Sequence, residues 1–157
     1  MVDPAPVLHV MCGLPGSGKT TRARELEAAG CGVLLNGDRW IRHVFADDAE
    51  QAARDERRGR IEALQWQVAE QLLVAGVSVI LDWGVWARDE RDDLRARAAA
   101  VGAECRIVFT DAPLPVLHER VAARNRALSS DSFHITPEEL DEWAESFEPP
   151  ETDELDP

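Results

Sequence analysis

The sequence predicts an α/β fold, a parallel sheet with helices on both faces. Three observations predict it. Short apolar runs alternate with longer helical patterns along the whole chain. A glycine-rich stretch, GLPGSGKTT, joins the first apolar run to the first helical one. At 157 residues, 45% apolar and 30% charged, the chain has the size and composition of one soluble domain. Such sheets bind ligands at the carboxyl ends of their strands, and the glycine-rich stretch falls there.

Each element has a local reason. Val7 to Cys12 is an apolar strand ending at glycine, and Thr20 to Ala29 reads as a helix closed by Gly30. Gly32 to Leu35 is a second strand and Asp38 to Ala46 a short helix. From about Ala49 to Ala75 the pattern is one long helix, with Ile61, Leu64, Val68 and Leu72 at helical spacing and Gly76 as the stop. Val77 to Leu81 (VSVIL) is a buried strand, and Arg88 to Val101 a polar, Ala-rich helix ending at Gly102. Cys105 to Phe109 is the next strand. Leu114 to Leu128 is helical, with Pro113 and Pro115 setting its start. Ser129 to Ile135 reads as loop. Thr136 then caps a helix that has Pro137 at its first position and Glu139 placed for a capping box, and that runs to Phe147. Residues 1–148 read as a single domain and 149–157 as an acidic, Pro-rich tail, expected to be mobile or able to fold back over a site.

Composition narrows the partners. The formal net charge is −13, so the chain repels nucleic acid unless a local basic patch overrides its field. The apolar runs fall short of the roughly 20 residues that cross a bilayer. The start, MVDPAPVLHV, has no basic segment and no cleavage pattern, and the reading is cytoplasmic. Cys12, Cys31 and Cys105 are far apart and form no metal pattern, so reduced thiols are expected.

The glycine loop carries the strongest chemistry. Gly13-Leu14-Pro15-Gly16-Ser17-Gly18-Lys19-Thr20, followed by Thr21, completes the GxxxxGK[ST] pattern between a strand and a helix. Its glycines let successive backbone N–H groups turn toward phosphate oxygens, and the helix that follows adds its positive end. Lys19 is the only lysine in a chain whose other 16 cations of this kind are arginines. A compact ammonium reaches the β- and γ-phosphates where a planar guanidinium would not fit. Thr20 supplies a hydroxyl for Mg²⁺.

Three further stretches belong beside that loop. In LLNGDRWIR, Asp38 is either a base for an attacking hydroxyl or an N-cap of its helix. Arg39 and Arg42 could meet a substrate phosphate or equally be surface charges, and Arg39 reads better as a surface charge. In VILDWG, the strand ends in Asp82, which would bring a carboxylate to the Mg²⁺ shell. Trp83 and Trp86 follow, either as an apolar wall for a substrate or packed under the next helix. In LHERVAARNR, Arg120 and Arg124 share a helical face and Arg126 stands near its end. They are either a lid that neutralises charge on a transferred phosphoryl group or a solvated face.

Taken together, GLPGSGKTT, LNGDRWIR, VILDWG with ARDERDDLRARA, and DAPLPVLHERVAARN resemble the small P-loop kinases of the polynucleotide kinase-like group. These are often called AAA-family ATP-binding proteins or predicted kinases, with zeta toxins and chloramphenicol phosphotransferase as more distant relatives. The resemblance runs from about Val7 to Glu154. It implies a P-loop NTPase fold with a small parallel sheet of four to five strands, core order 2-3-1-4. It implies ATP with Mg²⁺ as donor and a hydroxyl as acceptor, with Asp38 as base, Asp82 as the acidic residue after the third strand, and Arg120 and Arg124 in the lid. Where the group has an arginine three residues after the base, this chain has Ile41, with Arg42 one further. That shift, the tryptophans and the acidic charge favour a small, partly apolar hydroxyl compound over a nucleic acid. Two rivals stay open. One is a polynucleotide 5′-hydroxyl kinase using Arg39, Arg42, Arg54, Arg57, Arg58 and Arg60 as a basic groove. The other is a nucleotide-controlled switch in which Asp38 has no chemical part.

Overall fold

The computed structural model describes residues 4–45, 51–127 and 133–155. Four strands, β1 (Val7–Cys12), β2 (Val33–Asn36), β3 (Val79–Asp82) and β4 (Glu104–Phe109), pair in the order β2-β3-β1-β4. Every pairing is parallel. This is the expected core order 2-3-1-4, with four strands. Six α-helices connect and cover them: α1 (Lys19–Ala28), α2 (Gly37–Val44), α3 (Gln51–Val74), α4 (Arg88–Ala100), α5 (Leu114–Ala127) and α6 (Pro137–Ser146). The last residue of the expected spans 38–46 and 114–128, the first two of 49–75, and most of the expected loop 129–135 lie outside the described residues.

Strand alternation divides the core between the two faces of the sheet. Leu8, Val10 and Cys12 of β1 join Val79 and Leu81 of β3 in the cluster that receives Ala69 and Leu73 of α3 and Leu94 and Ala98 of α4. Met11 and Ile80 point the other way, onto Ala23 of α1. A third cluster, Leu14, Leu117, Val121, Ile135 and Leu140, packs α5 and α6 beneath the glycine loop. The capping box at α6 forms as expected, since Thr136 Oγ1 accepts from Glu139 N at 3.1 Å and Glu139 Oε2 accepts from Thr136 N at 2.9 Å.

The structure makes two readings more specific. The buried stripe of α3 is Ile61, Gln65, Ala69 and Leu73, while Leu64 and Val68 are 52% and 38% exposed. A glutamine holds a core position because its side chain has partners there. Gln65 Oε1 accepts from Trp83 Nε1 at 2.7 Å, and Gln65 Nε2 donates to Asn36 O at 3.1 Å. Of the two readings of the acidic tail, its described residues follow the second and fold back, here onto α4. Residues Thr152–Glu154 form a 3-10 turn, Glu154 is buried, and its carboxylate meets the fully buried guanidinium of Arg91. A helix read as polar thus hides an arginine, and the tail supplies its counter-charge.

Candidate active site

β1 runs straight into the glycine loop, and close packing explains its first glycine. A Cβ on Gly13 would lie 2.3 Å from Thr110 O, so no other residue fits there. Gly18 then sits at φ 101 and turns the chain into α1, a conformation that L side chains rarely adopt. Ser17 N donates to Leu14 O at 3.1 Å, and Ser17 Oγ lies 2.9 Å from Thr110 Oγ1, tying the loop to the end of β4. Leu14 is buried beneath the loop, Pro15 and Gly16 are half-buried, and Thr21 is exposed. Lys19 Nζ donates to Leu14 O at 3.1 Å. Burial lowers its pKa to about 8 against the pull of Asp82 and Asp38.

Asp82 lies beside Lys19 because its strand ends beside β1. Asp82 Oδ2 accepts from Thr20 Oγ1 and from Asn36 Nδ2, each at 2.7 Å. Burial raises its pKa, and both hydrogen bonds oppose that. The strand register sets Asn36 directly beside Asp82, so this asparagine is a site residue that the sequence reading passed over. The signal lay in the strand-terminal position it shares with Asp82. Thr20 and Asp82 offer only oxygen donors, which suits a hard cation such as Mg²⁺. Among the described residues no group of three His, Cys, Asp or Glu gathers as a metal cage, so such a cation would need oxygens from phosphates or water as well.

Asp38 stands in the first turn of α2, near enough for its charge to act on Lys19. It is not the cap. Asn36 caps this helix, its Oδ1 accepting from Arg39 N at 2.7 Å. The Asp38 carboxylate instead faces α3, with Oδ1 2.9 Å from Arg58 Nη2, and stays 43% exposed. One turn after Arg58, burial pushes the Glu62 carboxyl up to about 7, with Arg58 opposing the shift and Glu90 and Asp38 adding to it. Arg42 and Arg54 both lie over the ring of Phe133, at 5.5 and 5.8 Å. Arg39 is exposed, as expected of a surface charge.

The tryptophans separate. Trp83 is 8% exposed and bonded to Gln65, a core residue whose ring cannot present an open wall to a substrate. Trp86 is half-buried and packs against Trp143, ring centroids 5.4 Å apart. On α5, Arg120 Nη1 donates to Gly16 O at 3.1 Å and so touches the glycine loop directly. Arg124 is partly buried, which lowers its pKa, and the charge of Asp38 opposes that. Arg126 is exposed, His118 pairs with Asp141 at 2.7 Å, and His134 is exposed. The structure therefore brings Lys19, Thr20, Asp82, Asp38 and Arg124 into one electrostatic neighbourhood at the carboxyl edge of the sheet.

The comparisons agree with this fold. A family model described as AAA domain (AAA_33) matches residues 8–150. A solved putative kinase from Chloroflexus aurantiacus superposes with a TM-score of 0.79 at 18% identity, covering 94% of this chain and 83% of that one. A chain of the Pnkp1/Rnl/Hen1 RNA repair complex gives 0.76 at 22% identity, covering 92% of this chain but only 45% of that one. A gluconokinase from Sinorhizobium meliloti gives 0.61 at 19% identity, covering 94% and 78%. At these identities the likeness is one of fold. No curated protein matches the chain. With its kinase-like fold and its glycine loop in place, the chain belongs to the AAA domain family of that model, among the P-loop NTPases.

Proposed function

We propose that the protein is an ATP-dependent phosphotransferase that moves the γ-phosphoryl group of ATP to a hydroxyl of a small molecule. One observation carries the reading. Beside the loop bearing Lys19, where Thr20 and Asp82 are bonded, stands a second and separate carboxylate, Asp38, whose charge acts on both Lys19 and Arg124. A nucleotide site alone needs the first group. A transfer site needs both.

The roles follow from the chemistry of each group. The backbone of Gly13 to Thr20 cradles the phosphates, and Lys19 leaves Leu14 O to meet the β- and γ-oxygens. Thr20 and Asp82 would hold Mg²⁺, which supplies positive charge against the phosphate oxygens. Asp38 accepts the proton of the acceptor hydroxyl as its oxygen bonds to the γ-phosphorus and the bond to the β-phosphate oxygen breaks, leaving ADP. Arg124 faces the charge that spreads over the phosphoryl oxygens, and Arg120 braces the loop through Gly16 O. Arg42 and Trp86 border the acceptor side. No helix among the described residues is long and apolar enough to cross a membrane.

The polynucleotide rival needs a continuous basic groove. The arginine run of α3 does not support one. Arg57 stacks on Phe45 at 4.8 Å, Arg60 lies 4.0 Å from Glu56, and only Arg54 and Arg58 turn toward Asp38 and Phe133. The test is transfer from γ-labelled ATP with Mg²⁺ into a bacterial metabolite extract, with oligonucleotides in a parallel reaction. Wild type should label a small organic compound, and Asp38→Ala should lose the label while still binding ATP. Label found only in free phosphate, equal in both proteins, would leave a nucleotide-controlled switch as the better account.

A further inference from the structure

The two oxygens of the Asp38 carboxylate meet different surroundings. Oδ1 is buried and lies 2.9 Å from Arg58 Nη2, close in distance but not aligned as an acceptor. The side chain is still 43% exposed, so its open side is the one that carries Oδ2, an oxygen that accepts no hydrogen bond from a described residue. One oxygen is held against a cation, and the other is left to an incoming hydroxyl.

α3 delivers Arg58 to this place. Gln65, two turns further along the same face, donates to Asn36 O and accepts from Trp83 Nε1. Asn36 caps α2, so α3 is tied to the start of the helix that carries Asp38. The same guanidinium acts on Glu62, one turn after Arg58. The scaffold has little need of the pair. Asp38 does not cap its helix, and an ion pair left 35% and 43% exposed contributes little to stability. Its effect is on orientation. The terminal torsion of an aspartate is broad, and a cation fixed at one oxygen narrows it.

We propose that Arg58 is a positioning residue of the phosphoryl transfer, its guanidinium holding Oδ1 of Asp38 so that Oδ2 is presented to the acceptor hydroxyl. This rests on the transfer reading above and adds the residue that aims its base. As the hydroxyl oxygen bonds to the γ-phosphorus, its proton passes to Oδ2. Arg58 stays charged throughout and neither gives nor takes a proton. The proposal also gives Arg58 a part within the arginine run of α3 that does not involve nucleic acid.

The test uses the full chain with γ-labelled ATP, Mg²⁺ and the bacterial metabolite extract as the source of acceptor. Arg58→Gln should lower the maximal rate of label transfer by about 10–100-fold, as for a misplaced catalytic group, with half-saturating ATP nearly unchanged. Arg58→Lys should recover part of that rate, since a charge returns to the same place. The urea midpoint of both should stay close to that of wild type. The double variant decides. In an Asp38→Asn background, Arg58→Gln should cost nothing further, because a residue that acts through Asp38 has nothing left to aim. If Arg58→Gln does not fold, the same cycle is run with Arg58→Lys. An equal cost in both backgrounds would overturn the proposal and make Arg58 a residue that meets the acceptor or the phosphate itself. Wild-type transfer by Arg58→Gln, with Asp38→Asn impaired, would also overturn it while leaving the transfer reading intact. Wild-type transfer by Asp38→Asn, or label on nothing but water, would overturn the transfer reading and the proposal with it.

Discussion

Arg91 and Arg124 are both withdrawn from water, and the fold treats them in opposite ways. Arg91 is 0% exposed and fully occupied. Its Nε and Nη2 donate to the two oxygens of Glu154 at 2.7 and 3.0 Å, and its Nη1 donates to Trp86 O at 3.2 Å and Glu148 O at 3.0 Å. Around it, Arg88 reaches Glu151 and Asp153, and Arg95 reaches Glu154. Arg124 keeps a buried Nε with no hydrogen-bond partner, as do Arg54 at its Nε and Trp86 at its Nε1. The first region closes the domain with its own tail. The second holds donors that the chain does not satisfy. Satisfied burial marks structure here, and the unsatisfied atoms are the ones the proposed transfer site would offer to a ligand.

The comparison can be broken by substitution. Arg91→Ala or Glu154→Ala strands one buried charge, and should destabilise the protein by about 3–5 kcal/mol in urea unfolding. The folded fraction should still transfer phosphate. The same pair gives a pH signature. Arg91 holds the Glu154 carboxyl down at about 2, below its ordinary 4.5. Its contribution is therefore complete above pH 4.5 and lost as pH falls through 2, so wild type and Glu154→Gln should converge in stability at the acid end.

Arg124→Gln should behave in reverse. Transfer should fall by about 10²–10³-fold, as for a lost charge-stabilising donor. Stability should hold or rise slightly, because a poorly partnered buried cation is removed. Loss of stability on the scale of Arg91 would mean that Arg124 belongs to the scaffold.

Proton linkage at Lys19 gives a smaller effect. Burial sets its pKa at about 8, and a bound triphosphate raises it. Affinity for ATP, measured by calorimetry, should be level below pH 8 and fall by up to about tenfold per pH unit above it, with proton uptake on binding. The smallest effect belongs to the outer face of α3. Leu64→Gln should change stability by no more than about 0.5 kcal/mol, because Leu64 is half-exposed.

What could be read in the sequence depended on how local the cause was. The strands, their order and the glycine loop rest on patterns within a few residues or on the resemblance those patterns carry. So do the Thr136 cap and the pairing of Thr20 with Asp82. Other features depend on partners far along the chain. Arg91 lies in the charged run RDERDD, and nothing nearby marks it as buried, because its partner is 63 residues later. Gln65 holds a core position of α3 because Trp83 and Asn36 bond it. The same bond decides between the two readings of Trp83, substrate wall or packing, in favour of packing. Asn36 was not legible as a donor to Asp82, since that needs the register of β2 on β3.

The most direct measurement sets stability against transfer in one variant, Asp38→Asn. The account predicts a urea midpoint close to wild type, because the ion pair of Asp38 with Arg58 is half-exposed, together with a loss of phosphoryl transfer of at least about 100-fold. A variant that unfolds early yet transfers phosphate at the wild-type rate in its folded fraction would contradict it, and would return Asp38 to the scaffold.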